Sequence, residues 1–333
     1  PIDVIDAYPP GTDGSGAWYD EMLIAGDRVI VIGYSYARGG TEVNRFRIDR
    51  SGNLSFEDAH HLRSNDYYSS RNYASRLIGN TLIFYTPLYL PYGPVNNFDW
   101  LPGVRRWEGD TKRAFKRIAT SRQIYLPENF RNPYEATIDA LHTVTSCNLT
   151  APVLRCRATG ILGPSGRVFY VSANAVYIWV SNHVRHREES GKSPSAMVYR
   201  MPLNGGAPSA IGVRGSPVDQ FAFREDWNDG VLNVLVRSSA GGDAMWNPEF
   251  SGGTVALLRL PLWAFGDGDE DARQSYYRML PTPDRENYTF QNRFVGDYVL
   301  YGTGNSWRRP QDFRSVLVAA PVRGGRPAEL QLG

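Results

Sequence analysis

A strand–turn–strand motif recurs five times along this 333-residue chain, and no other feature restricts the fold as strongly. Each copy is an apolar run rich in Val, Ile, Leu, Phe or Tyr, a short turn, and a second apolar run. The copies are residues 21–25 and 28–34 about Gly26-Asp27, 74–78 and 81–85 about Gly79-Asn80, and 167–172 and 175–180 about Ala173-Asn174. A looser copy pairs residues 221–226 with 231–236 about Trp227 to Gly230, and the last pairs 291–295 with 298–302 about Gly296-Asp297. Gly-Asp and Gly-Asn between apolar runs are strong hairpin signals, because both turn positions need backbone conformations that Gly and Asn or Asp tolerate.

A second repeat follows the first. Arg200-Met-Pro202-Leu-Asn-Gly-Gly matches Ala319-Ala-Pro321-Val-Arg-Gly-Gly, and Arg259-Leu-Pro261-Leu is a partial copy. The three prolines are 59 and 60 residues apart. A proline at a strand end gives up no central ladder bond, so each is expected to close one strand and turn into another. Every unit then has four antiparallel strands, a to d, and five units can be read over about residues 17–63, 64–166, 167–216, 217–283 and 284–333. Four strands per repeat at this period point to an all-β fold, a β-propeller of four-stranded antiparallel blades. A β-sandwich competes, but sandwiches do not repeat a four-strand unit. The reading takes residues 1–333 as a single propeller domain with a long insertion at about 86–135. Five blades either close a ring or belong to a larger one, and the sequence leaves both open. The one short helix expected lies near residues 111–118.

The a–b and c–d turns are short, whereas the b–c connections are long: about residues 36–41, 86–135, 182–195, 239–253 and 303–313. In a propeller these b–c loops share one face with the d–a loops. Length gathered on one face of a repeat array marks a binding face. Trp100, Trp107, Trp246 and Trp307 fall in these loops with Arg105, Arg106 and Arg308. Such residue types are enriched at interfaces and ring-stacking sites, although each Trp could instead pin its loop as a small satellite core. The first d–a segment carries Asp66, Tyr67, Tyr68, Arg71, Asn72 and Tyr73. These are candidate binding residues at the mouth of the central channel, with an Asp66–Arg71 brace of the blade junction as the plain alternative.

Composition narrows the function classes. A formal net charge of +2 makes no electrostatic case for nucleic acid. No apolar run approaches the roughly 20 residues that cross a bilayer as a helix. All basic residues but Lys112, Lys116 and Lys192 are Arg, which fits either a codon bias or a surface that grips carboxylates. The sequence starts at Pro1 with no basic-then-apolar leader, the pattern of a mature chain or a fragment. Cys147 and Cys156 flank a Thr-Ala-Pro turn, and a hairpin centred near Ala151 would set them opposite each other for a disulfide; two buried thiols are the alternative. A disulfide would place the chain outside the cytoplasm, as a secreted, periplasmic or cell-surface protein.

Catalytic signatures are missing. No nucleophile elbow, phosphate loop or dinucleotide fingerprint occurs, and no cofactor is expected. The His183-Val-Arg-His186-Arg-Glu188 segment is polar but lacks helical spacing for two ligands, and the run from Asp267 to Asp271 fails the calcium-loop pattern at its sixth and twelfth positions. No metal site is expected.

The stretches Trp18 to Tyr36, Arg38-Gly-Gly-Thr-Glu42 and His61 to Leu77 resemble a family of bacterial secreted proteins containing a C-terminal β-propeller domain. The resemblance implies export and a propeller fold, and it implies no reaction. The resulting expectation is an exported module that binds or scaffolds a protein or glycan at the cell envelope through its long-loop face. The alternative is a polysaccharide hydrolase or lyase with acids such as Asp66 at the channel mouth.

Overall fold

The computed structural model describes residues 2–65, 74–91, 98–109, 114–128, 138–181, 196–241, 250–283, 289–304 and 315–332. The regular structure of the described residues is strand, with only short 3-10 turns besides, and it forms five mainly antiparallel sheets in chain order. Sheet 1 is built from β1 (Ala17–Ala25), β2 (Arg28–Ser35), β3 (Thr41–Ile48) and β4 (Leu54–Leu62), in that spatial order. Sheet 2 begins with β5 (Ala74–Ile78) and β6 (Thr81–Tyr89). The connection that follows carries three short strands, β7 (Gly103–Arg106), β8 (Lys116–Arg117) and β9 (Ile124–Tyr125), before β10 (Ala140–Asn148) and β11 (Arg155–Gly163) complete the sheet.

Sheet 3 holds β12 (Arg167–Val171), β13 (Ala175–Ser181), β14 (Ala196–Pro202) and β15 (Ser209–Val213). Sheet 4 starts with β16 (Phe223–Asp226), β17 (Val231–Gly241) and β18 (Phe250–Pro261). The chain then leaves to run β19 (Asp267–Asp271) parallel to β15, and returns as β20 (Tyr277–Leu280) to finish sheet 4. Sheet 5 is β21 (Thr289–Val295), β22 (Tyr298–Gly304), β23 (Ser315–Pro321) and β24 (Ala328–Leu332).

The repeated sequence signals act where expected. Ala25 pairs with Arg28, Ile78 with Thr81 and Val295 with Tyr298, which leaves two residues in each of those turns. Gly26, Gly79 and Gly296 have φ of 62°, 58° and 53°, a region that L side chains rarely adopt. Pro202, Pro261 and Pro321 each end a strand. After Pro261, however, the next strand is β19 on the neighbouring sheet, not the partner of β18. The helix expected near residues 111–118 is a correction. Lys116–Arg117 forms β8, because Gly103 and Val104 offer an open strand edge to pair with, and residues 111–113 lie outside the described residues. Short added strands of this kind cover edges that would expose unpaired backbone groups.

The chain divides into two compact units. The first comprises residues 1–125 and 139–162 and contains sheets 1 and 2. Its core includes Ile30, Ile32, Val43, Leu62, Leu82, Phe84 and Cys147, all buried between the two sheets. The Cys147–Cys156 disulfide is formed, with Cα atoms 4.2 Å apart across the β10–β11 hairpin. Beside it, the buried Arg45 guanidinium holds Asp58 through bonds of 2.7 and 2.6 Å and donates to the carbonyls of Leu149 and Ala151 in the hairpin loop. Burial alone would raise the Asp58 carboxyl, but the bonds from Arg45, with His60 3.5 Å away, hold it well below the ordinary carboxylate range. The second unit comprises residues 126–138 and 163–333 and contains sheets 3 to 5 around one continuous core, with Trp179, Tyr177, Leu232, Leu258, Phe290 and Tyr301 among its fully or nearly fully buried members.

Candidate functional site

The end of sheet 1 that carries the β2–β3 turn contains a polar row that strand register builds directly. Tyr19 pairs with Gly33, Gly33 with Glu42, and Glu42 with His61, so these positions lie in line across β1 to β4. Gly33 makes the row possible. A Cβ there would sit 2.1 Å from the Trp18 carbonyl oxygen and 2.6 Å from the Tyr19 ring, so only glycine lets Tyr19 reach across the strand. The Tyr19 hydroxyl donates to Glu42 at 2.6 Å, Arg38 Nε donates at 2.9 Å from the β2–β3 turn, and His61 Nε2 lies 3.1 Å from the same carboxylate. Glu42 is fully buried. Burial would raise its carboxyl, yet the bonds from His61 and Tyr19, with the charges of His61 and Arg38, bring it down to about 2. The Tyr19 hydroxyl is driven up by burial and by Glu42, so it stays a proton donor. The row is therefore a carboxylate fixed by Tyr19, Arg38 and His61, suited to bracing the loop end.

A cleft of about 410 Å³ lies within the second unit, where sheets 3 and 4 meet. Its lining includes Gly215 just beyond β15, Val236 and Arg237 on β17, Thr254 on β18, Asp271 at the end of β19 and Tyr277 on β20. Ser216 and Arg237 exchange backbone hydrogen bonds of 2.8 and 2.9 Å and so tie the two sheets together beside it. Gly215, at φ 78°, approaches the Arg237 carbonyl so closely that a Cβ would come within 2.8 Å. Arg237 is buried, which disfavours its charge. Its guanidinium lies 4.5 Å from the centre of the Phe290 ring and donates to the Gly253 carbonyl at 3.0 Å. The Tyr277 hydroxyl accepts from the Arg214 amide at 2.9 Å. Apolar walls with a few convergent polar groups are the make-up of a ligand pocket. The described lining has one carboxylate, Asp271, and so no acid pair of the glycosidase kind. No group of three or more His, Cys, Asp or Glu that could hold a metal occurs among the described residues.

Comparison with known families matches residues 10–275 to the beta propeller domain model. The chain belongs to the beta propeller domain family. No curated protein matches it at a significant level.

Two of the propeller's anticipated loop tryptophans are described. Trp100 is half-buried against Leu88, Leu101 and Leu141. Trp107 is half-buried edge-on to Phe56, at 6.2 Å and 89°, and its amide donates to the Ala59 carbonyl. Trp100 thus packs on a small apolar cluster of the first unit, and Trp107 on the Phe56 ring. Asp66, Tyr67, Tyr68, Arg71, Asn72, Tyr73, Trp246, Trp307 and Arg308 lie outside the described residues, as does the segment from His183 to Glu188. Arg105 and Arg106 fall on β7. The Tyr19–Glu42–His61 row and the cleft were not anticipated. Gly33 inside an otherwise apolar strand was the one available signal for the row, since an isolated strand glycine marks a close approach.

Proposed function

We propose that this propeller is an exported binding or scaffolding module that holds a protein or glycan partner at the loop ends of its sheets, at the cell envelope. The observation that carries the reading is the cleft between sheets 3 and 4. It lies along the half of β17 and β18 from which their long connection leaves, and that connection contains Trp246. A groove along strands whose connecting segment carries a tryptophan suits recognition of an extended or ring-shaped group. The disulfide supports an oxidising compartment. No helix among the described residues is long and apolar enough to cross a membrane.

The test is capture by the immobilised full chain, from envelope extract and on a glycan array. Thr254→Trp places a large ring at the exposed edge of the cleft, and Trp246→Ala with Trp307→Ala strips the loops. Each is expected to weaken capture by about tenfold or more while leaving the thermal unfolding transition in place, a loss of about 1.4 kcal/mol in binding. Capture unaffected by both variants would remove the loop ends from consideration.

A further inference from the structure

Beyond β4, sheet 1 continues into the two-stranded ribbon β7–β8. His60 pairs with Arg106 and His61 with Arg105, and across the ribbon Gly103 pairs with Arg117 and Val104 with Lys116. Of the six ribbon residues, four are the cations Arg105, Arg106, Lys116 and Arg117, and Arg63 follows directly after β4 as a fifth. Arg106, Lys116 and Arg117 are exposed. None of the five makes an ion pair with a described carboxylate. The whole chain carries a net charge of only +2, so this is a local concentration of charge.

Two of these cations are held in place. The Arg63 and Arg105 guanidinium carbons each lie 4.4 Å from the centre of the Phe115 ring. Gly103 makes room for them: a Cβ there would touch Phe115 at 3.0 Å and approach Arg63 Nε at 3.6 Å. Arg105 donates to the carbonyls of Arg38 and Gly39, while Arg63 Nε is buried with no acceptor among the described residues. Burial lowers the proton affinity of both groups. The Arg38 charge adds to this at Arg105 and the Arg105 charge at Arg63, with Glu42 and Asp99 acting in the opposite sense. Charged side chains on an edge ribbon commonly serve to block strand pairing. That accounts for Arg106 and Lys116. It does not account for two half-buried guanidinium groups fixed on one ring beside a third, where like charges oppose one another.

We infer that the β7–β8 ribbon is a polyanion-binding surface, and that its ligand is a polysaccharide bearing uronate carboxylates. Cations spread along an open ribbon match repeated charges on a polymer better than a single small anion, which would need an enclosing pocket. Guanidinium forks match carboxylates in shape as well as charge. The disulfide argues for an oxidising compartment, and together with the glycan reading above this selects an acidic polysaccharide as the polymer. The choice of a glycan rests on the partner-binding reading above; the ribbon's charge and geometry do not.

The test measures binding of the full chain to an oligogalacturonate of defined length and to its methyl ester, which has the same backbone without charge. The ribbon variant is Arg106→Glu with Arg117→Glu. The control, Arg273→Glu with Arg326→Glu, makes the same change in net charge at exposed positions of the second unit. The acid form is expected to bind, and to do so less tightly as salt is raised. Its affinity is expected to fall about tenfold or more in the ribbon variant, to stay unchanged in the control, and to be lost with the ester. Equal losses in ribbon variant and control, equal binding of acid and ester, or tighter binding of poly-glutamate or single-stranded DNA would each overturn the proposal. So would an absence of uronate binding in a chain that still captures another partner through Trp246 and Trp307, an outcome that leaves the loop-end reading intact.

Discussion

Two glutamates on sheet 1 show how neighbours set the behaviour of one side-chain type. Glu42 is held at about 2 by His61, Tyr19 and Arg38. Glu21 sits on β1 just past a bulge, where the register passes from Tyr19↔Gly33 to Glu21↔Ile32. The bulge turns Glu21 onto the face of Ile32, which belongs to the core of the first unit. Burial pushes its carboxyl up to about 7, the Asp20 charge adds to this, and Arg76 opposes it. A carboxyl whose pKa is raised on folding favours the protonated native state. Its contribution is complete below the ordinary 4.5 and is lost as pH rises through about 7. Glu21→Gln keeps the shape and removes the titration. In urea unfolding the variant should match the parent near pH 4 and exceed it above about pH 8, by about 1–2 kcal/mol once solvent screening of this partly exposed group is allowed for. A difference that does not change with pH would mean that the Glu21 carboxyl has the same pKa in the folded and unfolded chain.

At the scale of elements, the β10–β11 hairpin is pinned at both ends. The disulfide joins its strands, and Arg45 binds the carbonyls of its loop from the neighbouring sheet. Cys147 is also part of the first unit's core. Closing a loop with a sequence separation of 9 restricts the unfolded chain by about 2.5–3 kcal/mol. Reduction should therefore lower the Tm, and a Cys147→Ala, Cys156→Ala variant should melt at the lower temperature with or without reductant; a parent that melts identically in both conditions would show that the bond adds nothing. This hairpin was readable from sequence because its signals are local: two cysteines about a Thr-Ala-Pro turn. The glycine turns and strand-ending prolines were readable for the same reason. The strands β8, β9 and β19 were not. Lys116–Arg117 and Asp267–Asp271 have no apolar alternation, and they are strands only because a neighbouring edge offers them backbone partners. The Tyr19–Glu42–His61 row is invisible for a related reason. Its members are separated in sequence and meet only once register is set, with Gly33 as the sole trace.

For the whole molecule, repetition in sequence carried the architecture, because each unit must bury an apolar face that it cannot bury alone. That logic also governs how the chain should come apart. The first unit has its own core between sheets 1 and 2, and the second has a separate continuous one across sheets 3 to 5. In repeat arrays stability is close to a sum over units and nearest neighbours, so damage stays near where it is made. Leu82 is fully buried in the first core and Leu258 in the second. Truncation of either to Ala should cost about 2–5 kcal/mol. Read by hydrogen exchange and mass spectrometry, Leu82→Ala should speed exchange in β1 to β6 and in β10 and β11 while leaving β16 to β18 protected. Leu258→Ala should do the reverse. A uniform rise across both units in either variant would mean that the five sheets open as one cooperative body, and the division into two cores would then have no energetic meaning.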